Sequence, residues 1–194
     1  MSKKKVKVLL VEDDLDFAYL IGKMISNDER LELIGHASNK QSAVELACEL
    51  KPDIVVMDLN LSGVDLDGIE ASKEIGILTG SKVILLTSLE QTDIIINASK
   101  KAFASGYIFK SHFETITDTL YNAAVSRTPQ EEFIKELVLS DLSAAEKAVF
   151  IDMLNDEINL TASSSEKTVA NQKTSIFKKL GIKNSNELIR IFMR

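Results

Sequence analysis

The sequence predicts an α/β fold: a doubly wound, five-stranded parallel sheet, followed by a small all-α domain. Short apolar runs recur along residues 1–126 and alternate with segments that carry apolar residues at helical spacing, which is the order of βα units. Polar side chains stand directly after four of these runs, where the strands of an open sheet form a binding crevice. Residues 141–194 carry helical patterns and form the second, smaller unit.

The strands are predicted from runs rich in Val, Ile and Leu, which is the composition of parallel strands buried on both faces. In chain order they are Lys5–Val11, Leu31–Ala37, Ile54–Met57, Val83–Leu86 and Tyr107–Phe109. Right-handed crossovers between parallel strands bring the carboxyl ends of the first and third strands together.

The helices between the strands are predicted from apolar stripes that face the sheet. The first stripe is Phe17, Leu20, Ile21, Met24 and Ile25, and the second is Ala43, Leu46, Ala47 and Leu50, ended by Pro52. The other three helices are placed at about 68–77, with Gly80 as the stop, at 91–103 and at 112–125. The single cysteine, Cys48, excludes an internal disulfide and is predicted to be a small core residue.

Four polar positions at the strand ends carry the predicted chemistry. They are the pair Glu12–Asp13, then Asp58, Thr87 and Lys110. Mg²⁺ prefers hard oxygen ligands, and a carboxylate can attack phosphorus as a covalent nucleophile. An ammonium and a hydroxyl can stabilise the phosphoryl oxygens. Together these groups indicate a divalent cation beside an aspartate that accepts a phosphoryl group, whereas Asp14 is predicted only to cap the first helix.

Residues 4–126 resemble the receiver domain of two-component response regulators, a flavodoxin-like fold of the CheY type. The resemblance implies the following roles: Asp58 as phosphoacceptor, Thr87 and Lys110 beside it, Thr87 and Tyr107 as the switch pair, and Glu12, Asp13, Asp58 and the Asn60 carbonyl around Mg²⁺ or Mn²⁺. The chain departs from the family pattern in the following loop. Ser62 stands where a proline is usual, and Asp67–Gly68 come two residues late.

The domain boundaries are predicted at residues 1–126 for the receiver, 127–140 for a linker and 141–194 for the output domain. Residues 1–127 hold 14 basic and 19 acidic side chains, whereas residues 138–194 hold eight and seven. In the linker, Pro129 is typical of a helix start, and Phe133, Ile134 and Leu137 form an apolar side. No apolar run approaches the length of a membrane span, so a cytoplasmic protein without membrane contact is expected.

The output domain is predicted to be three helices. Ser143 and Glu146 form a capping box before a helix that buries Val149, Phe150 and Met153. Ser163 or Ser165 caps the next helix, whose apolar face is Val169, Ile176, Phe177 and Leu180, and Gly181 ends it. The last helix, at about 186–193, presents Leu188, Ile189 and Phe192.

The run SEKTV…N…IFKKLGIKNSNEL, with LSAAE before it, resembles the LuxR-type helix-turn-helix of NarL/FixJ-class response regulators. The resemblance implies a helix in the major groove that presents Lys167, Thr168, Asn171, Gln172 and Lys173 to DNA, with Lys178 and Lys179 near phosphates. Two departures stand against it. Ala170 replaces a usual basic residue, and the segment 142–168 is about four residues short, about one helical turn.

Two functions remain open on the sequence. The leading one is a response regulator that accepts a phosphoryl group on Asp58 from a sensor histidine kinase, forms a homodimer on phosphorylation and regulates transcription by binding DNA. The alternative is a phosphorylation-gated protein-interaction or dimerisation module with a degenerate tail that does not bind DNA. An enzyme with a substrate of its own is not expected, because the sequence holds no second active-site constellation. At most the acceptor promotes its own phosphorylation and slow dephosphorylation.

Overall fold

The predicted five-stranded parallel sheet is confirmed, and its strands lie in the order β2-β1-β3-β4-β5, with the first and third strands adjacent. The computed structural model describes residues 4–61, 67–89, 91–155 and 166–193. The strands are β1 Val6–Val11, β2 Leu31–Ala37, β3 Ile54–Asp58, β4 Lys82–Thr87 and β5 Gly106–Phe109. Each lies within one or two residues of its predicted bounds.

Helices flank the sheet and form the C-terminal region. They are α1 Leu15–Asn27, α2 Lys40–Leu50, α3 Asp67–Thr79, α4 Thr92–Ala102, α5 Ile116–Val125, α6 Pro129–Leu139, α7 Ala144–Leu154, α8 Glu166–Leu180 and α9 Ser185–Phe192. The predicted start of α5 at residue 112 is wrong. Residues Lys110–Thr115 form a 3₁₀ segment in which His112 has non-helical φ and ψ angles of −124° and 35°.

The receiver core consists of two apolar layers, one on each face of the sheet. Leu9 and Val55 point to the layer with α2, α3 and α4, whereas Leu10 and Val56 point to the layer with α1 and α5. Successive strand residues face opposite sides, so fully apolar strands supply both layers. The sheet is therefore doubly wound, with both faces covered by apolar side chains, and the polar side chains stand at the ends of its strands.

Two predicted core residues lie on the outside of their helices. Leu20 is 39% exposed and Cys48 is exposed, so both predictions are wrong. Leu20 precedes the buried Ile21, and Cys48 follows the buried Ala47. Because one residue along an α-helix turns the side chain by about 100°, both side chains point away from the sheet. The sheet-facing side of α2 is filled by small residues that bring its backbone close to the sheet.

The segment predicted to be a linker forms the eleven-residue helix α6, which packs on both regions of the chain. Thr128 accepts a hydrogen bond from the Glu131 backbone at 3.1 Å, and Pro129 occupies the first turn. Ile134 lies in the receiver layer with α2, α3 and α4, whereas Val138 belongs to the core of the C-terminal helices. Phe133, predicted to be on the apolar side, is 57% exposed, because the buried side is set by residues at 134 and 138.

The C-terminal helices enclose a core of their own. The predicted burial of Val149, Phe150 and Met153 is confirmed, as is the capping box. In α9 the prediction for Ile189 is wrong: it is 37% exposed, and Ile191 is buried in its place. Residues 188, 191 and 192 lie on one face at helical spacing, and residue 189 lies about 100° away from it.

The described part of the C-terminal unit, residues 141–155 and 166–193, is called the tail below, and it packs against α3 and α4. The Lys73 ammonium donates to the Leu180 carbonyl at 2.9 Å, and Arg190 donates to the carbonyls at the end of α3 at 3.3 Å. Phe103, at the end of α4, packs edge-on against Phe192 with ring centroids 5.7 Å apart. Two of the predicted features lie outside the described residues: the loop position Ser62, and the helix caps at Ser163 and Ser165.

Candidate functional site

The predicted site residues converge at the carboxyl end of the sheet. Asp58 is the last residue of β3 and Thr87 the last of β4, whereas Glu12 follows β1 and Lys110 follows β5. These strands are neighbours in the sheet and all run in the same direction. Parallel pairing therefore brings the side chains to one edge, although they are up to 98 residues apart in the chain.

Three carboxylates form the acidic part of the site. One ligand oxygen from each of Glu12, Asp13 and Asp58 lies within 4.8 Å of the others. Glu12 is fully buried and Asp58 is 4% exposed, whereas Asp13 is exposed. The cluster thus has a buried floor and opens to solvent beside Asp13. Asp14 turns away from it, since its side chain accepts hydrogen bonds from the backbone of Asp16 and Phe17 and caps α1, as predicted.

Lys110 bridges the two buried carboxylates. Its ammonium donates to Glu12 Oε1 at 2.9 Å and to Asp58 Oδ2 at 3.0 Å. It also lies 4.9 Å from the centroid of the Phe17 ring, a cation–π contact that the sequence did not indicate. The Lys110 ammonium is therefore held where it can stabilise a negatively charged group attached to the Asp58 carboxylate.

The site holds more negative charge than its one ammonium balances. Burial raises the pKa of Glu12 to about 7, the nearby Asp58 carboxylate adds to that rise, and the Lys110 ammonium opposes it. Glu12 Oε2 is buried and forms an ion pair with the Lys110 ammonium at 2.7 Å. Three carboxylates whose oxygens converge around a single ammonium fit a divalent cation such as Mg²⁺.

The remaining predicted receiver residues surround this cluster. The Asn60 backbone N–H donates to Asp58 Oδ1 at 3.3 Å, so the Asn60 main chain lies next to the Asp58 carboxylate. Thr87 Oγ1 accepts a hydrogen bond from the Leu89 backbone at 3.0 Å. Tyr107 is half-buried on β5, where it pairs with Leu85 of β4, and its ring lies edge-on to Phe109 with the centroids 5.6 Å apart.

Gly68 is a site residue whose role the sequence did not reveal. A Cβ atom at this position would lie 2.0 Å from the Asp58 carbonyl oxygen, and the Gly68 backbone donates to the Leu59 carbonyl at 3.1 Å. Only glycine, which has no Cβ atom, allows α3 to begin this close to the end of β3. The late Asp67–Gly68 pair was the available signal, and the structure brings that glycine against Asp58.

The residues predicted to contact DNA lie along α8 and differ in their availability. Lys167, Thr168, Asn171 and Lys178 are exposed, and Gln172 and Lys173 are half-buried. The Lys179 ammonium is held within the tail, because it donates to Glu146 Oε2 at 2.7 Å and to the Asp141 carbonyl at 3.1 Å. The hydrogen bond from Lys179, with further ones from Ser143 and Ser175, lowers the pKa of Glu146 to about 2, which keeps its carboxylate charged.

Comparisons with known proteins agree with this arrangement. Residues 8–121 match the family described as response regulator receiver domain. The transcriptional regulatory protein YdfI of Bacillus subtilis is 29% identical over 209 residues, which cover 97% of this chain and 95% of that protein. LiaR of the same species, also a transcriptional regulatory protein, is 32% identical over 138 residues, or 71% of this chain and 64% of that protein.

A solved structure extends the likeness to the tail. The RcsB response regulator of Salmonella typhimurium is 22% identical and aligns over 96% of each chain with a TM-score of 0.58, so the two share a fold.

Within the described residues, no helix is both long enough and apolar enough to cross a membrane.

Proposed function

This chain belongs to the response regulator receiver domain family, and from that premise we propose that Asp58 accepts a phosphoryl group that controls transcription through the tail. The observation that carries the proposal is the position of Asp58, buried at the end of β3 between an ammonium and two further carboxylates. YdfI and LiaR, named transcriptional regulatory proteins, support the output, and YdfI matches along nearly the whole chain.

The proposed transfer is a displacement at phosphorus. An oxygen of the Asp58 carboxylate forms a bond to the phosphorus atom of a phosphohistidine on a sensor histidine kinase. The bond from phosphorus to the histidine nitrogen breaks, and that nitrogen leaves with the electron pair. Lys110, 3.0 Å from Asp58, stabilises the charge that spreads over the phosphoryl oxygens. The Thr87 hydroxyl is the proposed donor to one of these oxygens, with Tyr107 as its partner in the switch.

We propose that Glu12, Asp13, Asp58 and the Asn60 carbonyl hold Mg²⁺ or Mn²⁺. The ion, when bound, neutralises the acidic cluster and the incoming phosphoryl oxygens. The protein supplies the geometry: the floor of the site is fixed by the buried Glu12 and by the end of β3, and the exposed Asp13 leaves an entry path.

Metal binding should separate two neighbouring aspartates. Asp13→Ala is expected to weaken Mg²⁺ binding by at least about tenfold, because it removes a ligand oxygen from the cluster. Asp14→Ala should leave Mg²⁺ affinity within about twofold of the wild type, since that side chain only caps α1, at a cost of about 1 kcal/mol in stability. Titration calorimetry measures both affinities, and equal losses at the two positions would contradict the ligand assignment.

For the output, we propose that α8 contacts DNA and that phosphorylation favours a homodimer. The proposed contacts are Lys167, Thr168, Asn171, Gln172 and Lys173, with Lys178 on a phosphate. Lys179 is left out of the proposed phosphate contacts, because Glu146 and Asp141 already hold its ammonium. Two half-sites read by a dimer would offset the modest charge of a tail with eight basic and seven acidic side chains.

Substitutions on α8 test the proposed output. Ala170→Lys should tighten DNA binding and steepen its salt dependence. It adds a positive charge at an exposed position, and a lysine that neutralises a phosphate releases counterions from the DNA. Lys173→Ala should lower affinity on all sequences if it contacts phosphate, and Gln172→Ala should relax preference at one base pair by about 1–3 kcal/mol. A mobility-shift assay over a salt series, with the receiver phosphorylated, measures these effects.

One outcome would redirect the proposal. If neither the wild type nor Ala170→Lys binds any DNA at low salt with the receiver phosphorylated, the transcriptional output fails. The alternative, a phosphorylation-gated interaction or dimerisation module, then accounts for the tail.

A further inference from the structure

The outer edge of β5 is closed by a side chain from α6. In the strand order of the sheet, β5 is the last strand, so its outward backbone groups have no partner strand among the described residues. The Tyr107 backbone N–H donates to Gln130 Oε1 at 3.1 Å, and Gln130 Nε2 donates back to the Tyr107 carbonyl at 3.5 Å. A side-chain amide carries one acceptor and two donors, so it satisfies a strand edge as another peptide group would.

The fit between α6 and β5 is close and has a second anchor. A Cβ atom at Gly106 would lie 2.4 Å from Gln130 Oε1, so the Gln130 amide can take this position only where residue 106 carries no side chain. Next to it, Glu131 forms an ion pair with Lys82 at 3.0 Å, with side chains only 15% and 8% exposed. Ser105 also donates to Glu131 at 3.3 Å. The first turn of α6 is thus fixed to the receiver by two adjacent residues.

This contact joins the two functional parts of the chain. At the end of β5, Lys110 bonds to Asp58, and in the middle of β5 Tyr107 is the proposed switch residue. At the other end of α6, Val138 and Leu139 belong to the core of the tail. A movement of the Tyr107 backbone therefore changes the hydrogen bonds that attach the start of α6 to β5. The end of α6 packs in the core of the tail, so a shift of α6 also shifts the tail.

We propose that Gln130 couples the phosphorylation site to the tail: its two hydrogen bonds to Tyr107 hold α6 on β5, and phosphorylation breaks them. The inference rests on the proposed function of Asp58. Coupling between two sites is reciprocal. If phosphorylation must break these bonds, then removing them in advance makes phosphorylation more favourable. Gln130 acts through Tyr107 and is a positioning residue.

Two variants remove the contact from opposite sides. Gln130→Ala deletes the amide, and Gly106→Ala adds a methyl group 2.4 Å from Gln130 Oε1, so the amide must move away from Tyr107. Both should bind beryllofluoride with Mg²⁺, a mimic of the phosphoryl group, about fivefold more tightly than the wild type, because the hydrogen bond at 3.1 Å supplies most of the contact and the one at 3.5 Å adds little. Gln41→Ala is the matched control, since the exposed Gln41 amide donates to Glu45 of the same helix, α2, and its removal should leave the affinity unchanged.

Backbone hydrogen exchange followed by NMR gives an independent readout. Without the mimic, the Tyr107 amide should exchange about fivefold faster in Gln130→Ala, because it loses its acceptor. In the wild type, beryllofluoride should speed exchange in α6, and in Gln130→Ala it should add no further change there while still altering β5.

The outcomes are distinct. An unchanged Tyr107 amide in Gln130→Ala, equal beryllofluoride affinity in both variants and the wild type, or an undiminished response of α6 in Gln130→Ala each overturns the coupling. A wild type that binds no beryllofluoride overturns the proposed function and the coupling with it. A wild type that binds it while Gln130→Ala behaves identically overturns the coupling alone.

Discussion

Replacing Asp58 by Asn is expected to abolish acid-labile phosphate incorporation from a small phosphodonor in the presence of Mg²⁺. Asp58 ends β3 with both carboxylate oxygens engaged: one accepts from the Asn60 backbone at 3.3 Å and the other from Lys110 at 3.0 Å. An amide has nearly the same shape, so the strand end should persist. Its nitrogen and carbonyl oxygen do not form the acyl phosphate that a carboxylate forms.

The matched control is Asp53→Asn, at the opposite end of the same strand. Asp53 accepts a hydrogen bond from the Lys7 backbone at 2.8 Å and lies far from the acidic cluster, so this variant should incorporate phosphate as the wild type does. Radiolabel incorporation followed by acid treatment measures both. Equal labelling of Asp58→Asn and wild type would show that another side chain is the acceptor.

The largest loss of stability is expected from Phe150→Ala in α7. Phe150 is 1% exposed at the centre of the tail core and packs edge-on against Phe192, with ring centroids 5.1 Å apart. Removing a buried Phe ring costs the transfer free energy of its atoms and leaves a cavity, together about 3–5 kcal/mol of unfolding free energy. Urea unfolding followed by far-UV circular dichroism measures it in a chain that lacks tryptophan.

The adjacent residue provides the control. Ile151→Ala removes an aliphatic side chain that is 52% exposed and is turned about 100° around α7 from Phe150, so its cost should stay within about 0.5 kcal/mol. The two variants share the helix and the loss of an apolar side chain, and they differ in burial. Similar losses for both would mean that α7 does not pack as the structure describes.

The tail and the receiver are joined by side chains that are buried in a hydrophobic core common to both. Phe103, at the end of α4, is 6% exposed and lies in the tail core, and Ile134 of α6 lies in the receiver layer. Lys73 is half-buried, and burial lowers the pKa of its ammonium, which donates to the Leu180 carbonyl. A change in either region therefore alters packing in the other, which is the physical requirement for a signal to pass between them.

The sequence by itself determined the order of strands and helices and the ends of the strands where the polar residues stand. Fully apolar runs such as β3 and β4 can only be buried, and a parallel sheet gathers their carboxyl ends at one edge. The approach of Glu12, Asp58 and Lys110 follows from that geometry. The family resemblance assigned their roles, which await the tests above.

Helix faces were less certain from the sequence. A one-residue difference in position turns a side chain by about 100°, so Leu20, Cys48 and Ile189 were predicted on the wrong side. Apolar residues at neighbouring positions fit more than one stripe, and only the shape of the opposing layer decides between them. Small residues such as Ala18 and Ala47 took the buried positions because the helices lie close to the sheet.

Only the tertiary structure decided what the segment after the receiver does. Gln130 and Glu131 are polar residues at a helix start, and nothing in their spacing indicates Tyr107 or Lys82, 23 and 49 residues away. Likewise, Lys179 has the same local pattern as Lys178, but a carboxylate 33 residues earlier holds its ammonium. Such contacts depend on distances between elements that local sequence does not encode. They form once the hydrophobic layers have fixed where each helix lies.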